Sequence, residues 1–333
     1  MIIFNPNIQF EIPKEQTVIG NGPASPFYAD GWLKWNEEIR GLKAERIVYT
    51  DGKSDYPRLE GVLYANKKGK VEQPPLNPYL PFRFISSATD KKNKIYSQYL
   101  KIMQIFAEDL ISRGIAGNIY LPPGFIDVRP FIWQGFETEI RYTFMFDLPY
   151  DIDNVDKKIK NKINKAQNCG YRIERTKDWQ AVRNCLKYSE EFKNFSHRSD
   201  AEMLKLGSDY MGDQGFIGHV VLSKDDEAVA GGVRLLQKNG IGYGLMQGGN
   251  RKHLKNGVNQ FLYKKILSDI YDAGAKYYDW GGANTPSVAQ AKSAWGVPLV
   301  PFMKIREKNF RHLALVGKSY LKKKFFSEIK PVL

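Results

Sequence analysis

The residues best suited to chemistry lie late in the chain, between positions 242 and 305. Gly242-Tyr-Gly-Leu-Met-Gln-Gly-Gly-Asn-Arg-Lys-His-Leu-Lys-Asn-Gly257 reads as a strand and a glycine-rich, basic turn opening onto a helix after Asn256. Such a turn offers backbone N–H groups and a positive dipole end to an anion, with Arg251, Lys252 and Lys255 beside it to hold a diphosphate. Downstream, Tyr277-Tyr-Asp-Trp-Gly-Gly282 reads as a second strand. Ala291-Lys-Ser-Ala-Trp-Gly296 follows, leading from a helix-like segment over 287–294 into an apolar strand. Tyr243 could donate a proton, the alternative being a packed tyrosine. Asp279 could orient an amine or accept its proton, or simply form a turn before Gly-Gly.

Several other chemistries lack their residues. His197, His219, His253 and His312 are scattered without metal-ligand spacing, so no metal is expected. Cys169 and Cys185 form no CxxC and suit a reducing cytoplasm. There is no GxSxG, no GxGxxG after a strand and no P-loop. With 42% hydrophobic and 26% charged residues over 333 positions, the composition indicates a folded chain of two domains. A net charge of +14 draws nucleic acid, anionic membrane or phosphorylated substrates, or else marks a solvated surface. No basic leader precedes a long apolar stretch, and no run approaches the ~18 apolar residues of a membrane span. The expectation is a cytoplasmic protein without a transmembrane segment, with peripheral membrane contact left open.

The elements that must position these residues follow an α/β pattern. A short helix from Asp30 sets Trp32, Trp35 and Ile39 at helical spacing with Lys34 beside them. Strands are expected over 46–50 and 59–65, and the prolines of 73–81 preclude regular structure there. A helix with Tyr99, Ile102, Phe106 and Leu110 on one face ends at Gly114, and strands follow over 117–121 and 141–148. Asp and Asn residues over 149–154 mark a domain junction. Beyond it come a lysine-rich helix over 155–168, a strand at 171–174, helices over 179–195 and 202–206, and strands over 216–222, 229–236 and 241–247. A basic segment from Lys318 to Lys330 is helical in pattern.

Taken together, Asp127-Val-Arg-Pro-Phe-Ile-Trp-Gln-Gly-Phe136, Arg141-Tyr-Thr143, Lys165-Ala-Gln-Asn-Cys-Gly170 and the 242–305 stretch resemble the Fem family of peptidoglycan-bridge aminoacyltransferases. The resemblance covers nearly the whole chain. It implies a mixed α/β fold of two tandem acetyltransferase-like (GNAT) domains, here 1–148, with the tail 310–333 packing back on it, and 149–309. No long charged heptad insertion is present, so the coiled-coil arm of some members is not expected. The implied reaction transfers an aminoacyl group from aminoacyl-tRNA to an amine of a nucleotide- or lipid-linked envelope precursor, with no further cofactor. A looser match of the turn at 247–257 to the CoA pyrophosphate loop leaves acetyl-CoA as an alternative donor, with an amino sugar or similar amine as acceptor. A third reading is a non-catalytic tRNA or scaffold binder.

Acyl transfer to an amine needs the amine held neutral at the carbonyl, an oxyanion donor and a route for the proton. The resemblance implies two splayed central strands, and Ile241 to Met246 suits one of them, since glycine permits close approach. It gives Lys292 a phosphate- or substrate-charge-binding role, and Tyr243 and Asp279, read from their chemistry, are the catalytic candidates beside it. Arg198 matches an arginine before a short helix and could fork onto a diphosphate, or could belong to a surface ion pair. Lys34 and Arg129 are further substrate-binding candidates, though an internal Asp127–Arg129 pair would explain the latter. The basic runs at 157–165 and 322–324 could meet tRNA phosphates or remain solvated.

Overall fold

The computed structural model describes residues 16–52, 56–237, 240–282 and 284–308. Its first elements are β1 (Val18–Gly20), α1 (Asp30–Arg40), β2 (Lys43–Tyr49), β3 (Leu59–Ala65), β4 (Arg83–Ile85) and α2 (Lys92–Arg113). The four strands form an antiparallel sheet in the order β1-β4-β3-β2. Across it lies α2, whose Tyr99, Ile102, Phe106 and Leu110 recur every three or four residues and so fall on one buried stripe.

The remaining elements are β5 (Ile119–Leu121), α3 (Arg129–Trp133), β6 (Phe136–Asp147), α4 (Lys157–Asn168), β7 (Arg172–Thr176), α5 (Trp179–Lys193), α6 (Ala201–Met211), β8 (Phe216–Leu222), β9 (Ala228–Leu236), β10 (Ile241–Gly249), α7 (Arg251–Leu254), α8 (Val258–Asp272), β11 (Tyr277–Gly282), α9 (Pro286–Ser293) and β12 (Leu299–Glu307). Eight strands form one sheet in the order β5-β12-β6-β11-β10-β9-β8-β7. All its pairs are antiparallel except β10 with β11, which therefore needs a crossover, and α8 supplies it.

Helices cover both faces of this sheet. On one, α4 and α8 bury Ile159, Ile163, Leu262 and Ile266 against Phe146, Tyr278 and Trp280. The lysines of α4 point away from that contact, which is how a segment of mean polar character still docks. On the other face, α1, α5 and α6 bring Trp32, Trp35, Val182, Leu186 and Leu204 against Val233, Leu235 and Tyr243. Trp32 and Trp35 stack at 4.9 Å, and their indole N–H groups donate to Asn77 Oδ1 and the Met203 carbonyl, each at 2.8 Å. Replacing either buried indole by alanine would cost about 3–5 kcal/mol.

The expected mixed α/β fold is present, and among the described residues no helical arm projects from it. Strand β3 matches the expected 59–65, while the strand expected over 141–148 begins earlier, at Phe136. Its polar first half alternates weakly, and pairing with β12 from Phe136↔Glu307 onward extends it. The junction expected at 148/149 follows β6, whose partners β11 and β12 both lie beyond it. The large sheet thus draws strands from both sides of that point. The tail 310–333 lies outside the described residues.

Candidate active site

The middle of the large sheet opens into a fork. Strands β10 and β11 are paired only through Ile241↔Tyr277, Gly242↔Tyr278 and Tyr243↔Asp279. Beyond that point β10 follows β9 to Gly249, after a bulge between Gly244 and Met246. Strand β11 instead follows β6, with an irregularity between Asp279 and Gly282. Both bulges fall at the same level, and bulges bend strands and free backbone groups from the ladder. Gly244 is required at the fork, because a Cβ there would stand 2.7 Å from the Tyr278 hydroxyl.

At the base of the fork, on the face shared with α1, sits a closed polar network. The buried Asp279 carboxylate accepts from the Tyr79 hydroxyl at 2.8 Å, the Thr143 hydroxyl at 2.5 Å and the Gly281 N–H at 2.8 Å. Burial nonetheless raises its pKa above the ordinary carboxylate range, against those hydrogen bonds and the nearby Lys292 charge. Beside it, Tyr243 is buried against Phe27, with ring centroids 4.7 Å apart. Burial and the Asp279 charge both push the Tyr243 hydroxyl up, so it stays protonated at neutral pH. Asn21 Nδ2 donates to that hydroxyl oxygen at 2.7 Å, which leaves the phenolic proton free to be given elsewhere. Burial likewise holds Tyr79 protonated.

Lys292, on α9, closes the top of β11. Its ammonium donates to the carbonyls of Trp280 at 2.8 Å, Gly281 at 3.0 Å and Gly282 at 3.3 Å, and lies 4.9 Å from the Trp280 ring centroid. Those carbonyls flank the peptide whose N–H meets Asp279, so the lysine fixes the turn that completes the network. The three residues expected as catalytic, Tyr243, Asp279 and Lys292, thus converge on one strand fork.

The substrate-binding candidates are spread more widely. Lys34 is exposed on α1 with its ammonium 4.6 Å from the centre of the Tyr210 ring of α6. Arg198 is exposed just before α6, in a left-handed conformation at φ 54°. It stands near Arg40 of α1, whose guanidinium pKa is lowered by burial and then by Arg198. Arg129 is exposed and paired with Asp127 at 2.7 Å. Arg251 and Lys255 sit past the far end of β10, roughly 20 Å from Tyr243 at ~3.3 Å per strand residue. Arg251 lies 4.4 Å from the Phe192 ring centroid, and the Lys255 carbonyl accepts from Lys165 of α4 at 3.3 Å.

The glycine-rich turn expected there is built differently. Gly248 and Gly249 belong to β10, and Asn250 caps the short α7 through Lys252 N. Gly257 caps α8 at φ 84°, where a Cβ would come within 2.1 Å of the Lys162 carbonyl, so this helix start is packed on α4. Sequence reasoning missed Tyr79, Thr143 and Asn21. Tyr79 and Asn21 are hidden in Pro- and Gly-rich turns, while Thr143 stands in the quoted Arg-Tyr-Thr motif. Among the described residues no three His, Cys, Asp or Glu side chains gather as metal ligands, and no helix is long and apolar enough to cross a membrane.

The fork between two parallel central strands is the feature that the sequence resemblance implied. Residues 153–287 match the acetyltransferase (GNAT) domain family. No curated protein sequence matches. Among solved structures, FemX superposes with a TM-score of 0.57 at 12% identity, covering 82% of this chain and 90% of that one. L-PGS from Bacillus licheniformis gives 0.53 at 10% identity over 87% and 88%. The C-terminal domain of a putative lysylphosphatidylglycerol synthetase from Agrobacterium fabrum gives 0.53 at 10% identity over 84% and 88%. The stretch from 153 to 287 is therefore similar to GNAT acetyltransferase domains. The fold of the chain as a whole is similar to that of FemX.

Proposed function

We propose that the protein transfers an aminoacyl group, with aminoacyl-tRNA as donor, to an amine on a nucleotide- or lipid-linked cell-envelope precursor in the cytoplasm. The observation that carries this reading is the meeting of Tyr243, Asp279 and Lys292 at the fork, completed by Tyr79 and Asn21 from the first hundred residues. In this reading the acyl carbonyl lies in the fork, where β10 backbone released from β11 can face the developing oxyanion. The acceptor amine approaches from the α1 face. Its proton passes through Tyr79 to Asp279, whose raised pKa brings it nearer the operating pH of a base. Tyr243, held protonated, gives its proton to the departing oxygen. Lys292 holds the β11 turn in place, and Lys34 and Arg198 flank the α1–α6 side as charges for the precursor's phosphates. Arg251, Lys255 and the lysines of α4 form the basic surface at the opposite end of β10, suited to donor phosphates. Arg129 is a peripheral substrate contact. The domain division at 148/149 leaves Asn21, Tyr79 and Thr143 in the first unit and Tyr243, Asp279 and Lys292 in the second.

The GNAT domain match keeps acetyl-CoA as the competing donor. Incubation of the purified protein with charged tRNA and with acetyl-CoA, each beside a panel of amine acceptors, separates the two. Product with charged tRNA alone supports the reading. Product with acetyl-CoA alone overturns it in favour of an acetyltransferase. Salt-sensitive tRNA binding without product from either donor makes the protein a binder.

A further inference from the structure

The opposite face of the same fork carries a charge that the mechanism does not use. Arg234, on β9, is fully buried beneath α8. Its Nη1 donates to the Val233 carbonyl at 2.9 Å and the Met246 carbonyl at 3.0 Å, and Nη2 to Gln247 Oε1 at 2.5 Å. These acceptors are uncharged. Among the described residues no carboxylate lies within ion-pair distance of the guanidinium, and its Nε has no hydrogen-bond partner. A buried cation with no anion is costly by several kcal/mol, and proteins rarely leave one so.

The Tyr278 hydroxyl, within reach of Arg234, and the Trp280 indole N–H, within reach of Tyr263, are both buried, and neither makes a hydrogen bond of full geometry. Tyr278 lies close enough to Arg234 for that charge to oppose the rise in its pKa, which burial drives. Gly232 and Gly244 let backbone pass close to these groups: a Cβ at Gly232 would stand 2.8 Å from Arg234 Nη1, and one at Gly244 2.7 Å from the Tyr278 hydroxyl. Gln247, which accepts from Arg234, Asn259, which accepts from Gln247, and Tyr263 are partly exposed, as are Gly244 and Gly281. His219, also on this face, is held neutral by burial, with Asp269 and Lys265 engaged beside it.

We propose that Arg234 and Tyr278, with Trp280 beside them, form a carboxylate-binding pocket on the α8 face of the fork, occupied by the acid group of a carboxylate-bearing acyl chain. The Nε–H and the tyrosine O–H are two donors, matching the two oxygens of one carboxylate, and the guanidinium plane suits that planar group. The assignment of this carboxylate to the transferred acyl chain rests on the transferase reading above. The pocket itself does not.

Binding is tested without turnover. Wild-type protein is titrated with sodium butyrate, with neutral butyramide and with sodium chloride at matched ionic strength, reading Tm and tryptophan emission. Butyrate is expected to raise Tm saturably, as any ligand of the folded state does, and to change an emission component lost in Trp280→Phe. Butyramide and chloride should do neither. Tyr278→Phe, which removes one oxygen, should weaken butyrate binding roughly tenfold, the effect of about 1.4 kcal/mol, and Arg234→Met should abolish it. If Arg234→Met fails to fold, Tyr278→Phe decides. No butyrate binding, equal response to butyramide or chloride, or undiminished binding by Tyr278→Phe overturns the pocket and leaves Arg234 a clamp on the β10 bulge. Butyrate binding by a protein that transfers no acyl group refutes the transferase reading alone. Acyl transfer by a protein that binds no butyrate refutes the pocket alone.

Discussion

The two faces of the fork are built from opposite materials. On the α1 face a buried carboxylate, Asp279, is surrounded by three donors, the Tyr79 and Thr143 hydroxyls and the Gly281 N–H. On the α8 face a buried guanidinium, Arg234, is surrounded by carbonyl and amide oxygens. Neighbouring positions on the strands, alternating sides, separate the two charges: Tyr278 faces one way and Asp279 the other. In a sheet the side-chain period of two does this without any insertion. The lesson is that a strand pair too short to fill its own gap can carry an acid–base face and an anion face back to back.

Asp279→Asn should break this contrast most deeply. The amide is isosteric and can keep Thr143 and Gly281 as donors while Tyr79 turns to accept, so the fold survives. Transfer should fall by roughly 10²–10⁴, the usual contribution of a positioned base, measured in the acyl-transfer assay. The same variant tests the pKa. A carboxyl whose folded pKa is raised binds its proton more tightly in the folded state. Its stabilising contribution is present below the unfolded carboxylate range and is lost as pH rises through the folded value. Denaturant midpoints across pH should therefore show a decline with rising pH in the wild type that Asp279→Asn lacks.

Tyr243→Phe should come next, with roughly a hundredfold slower transfer and a stability loss of about 1–3 kcal/mol from the stranded Asn21 amide. If transfer is unchanged, Tyr243 is a packing residue. Gly244→Ala sharpens the geometry. Its methyl meets the Tyr278 hydroxyl, and overpacking of this kind costs about 1–3 kcal/mol. Thermal melts check it, and no loss would mean that the fork is wider than described. Smallest is Tyr79→Phe, expected to cost about 1 kcal/mol of stability. Because the Tyr79 hydrogen bond lowers the Asp279 pKa, its removal should shift the acid limb of the pH–rate profile upward. A downward shift would remove Tyr79 from the proton route.

Much of the scaffold was legible in sequence because burial imposes period. The apolar stripe of α2 and the unbroken run of β3 each announce their element, and the lysines of α4 show which side is wet. The fork was foreseen through the resemblance, and Tyr243 and Asp279 stand across from each other in its last paired rung. What stayed hidden depends on distant partners. Tyr79 lies in a proline-rich loop that has no period, and only tertiary docking turns it toward Asp279. Strands β1 and β4 have three residues each, too few for any pattern to show. Arg234 was visible as a lone charge in the apolar Val229-Ala-Gly-Gly-Val-Arg-Leu-Leu236, and that break in β9 was the signal to follow.

Asn21 and Tyr243 are separated by 222 positions, and Tyr79 and Asp279 by 200. Contacts of such separation close late, after long loops have been ordered. During synthesis all four strands of the small sheet emerge before any strand of the fork exists. The proposed transfer would then begin only once the segments carrying Asp279 and Lys292 have left the ribosome and docked. A fragment starting after position 148 would display Tyr243 and Asp279 to water, and without burial the carboxyl would return to an ordinary acidity. The enzyme would in that sense be switched on by its own completion.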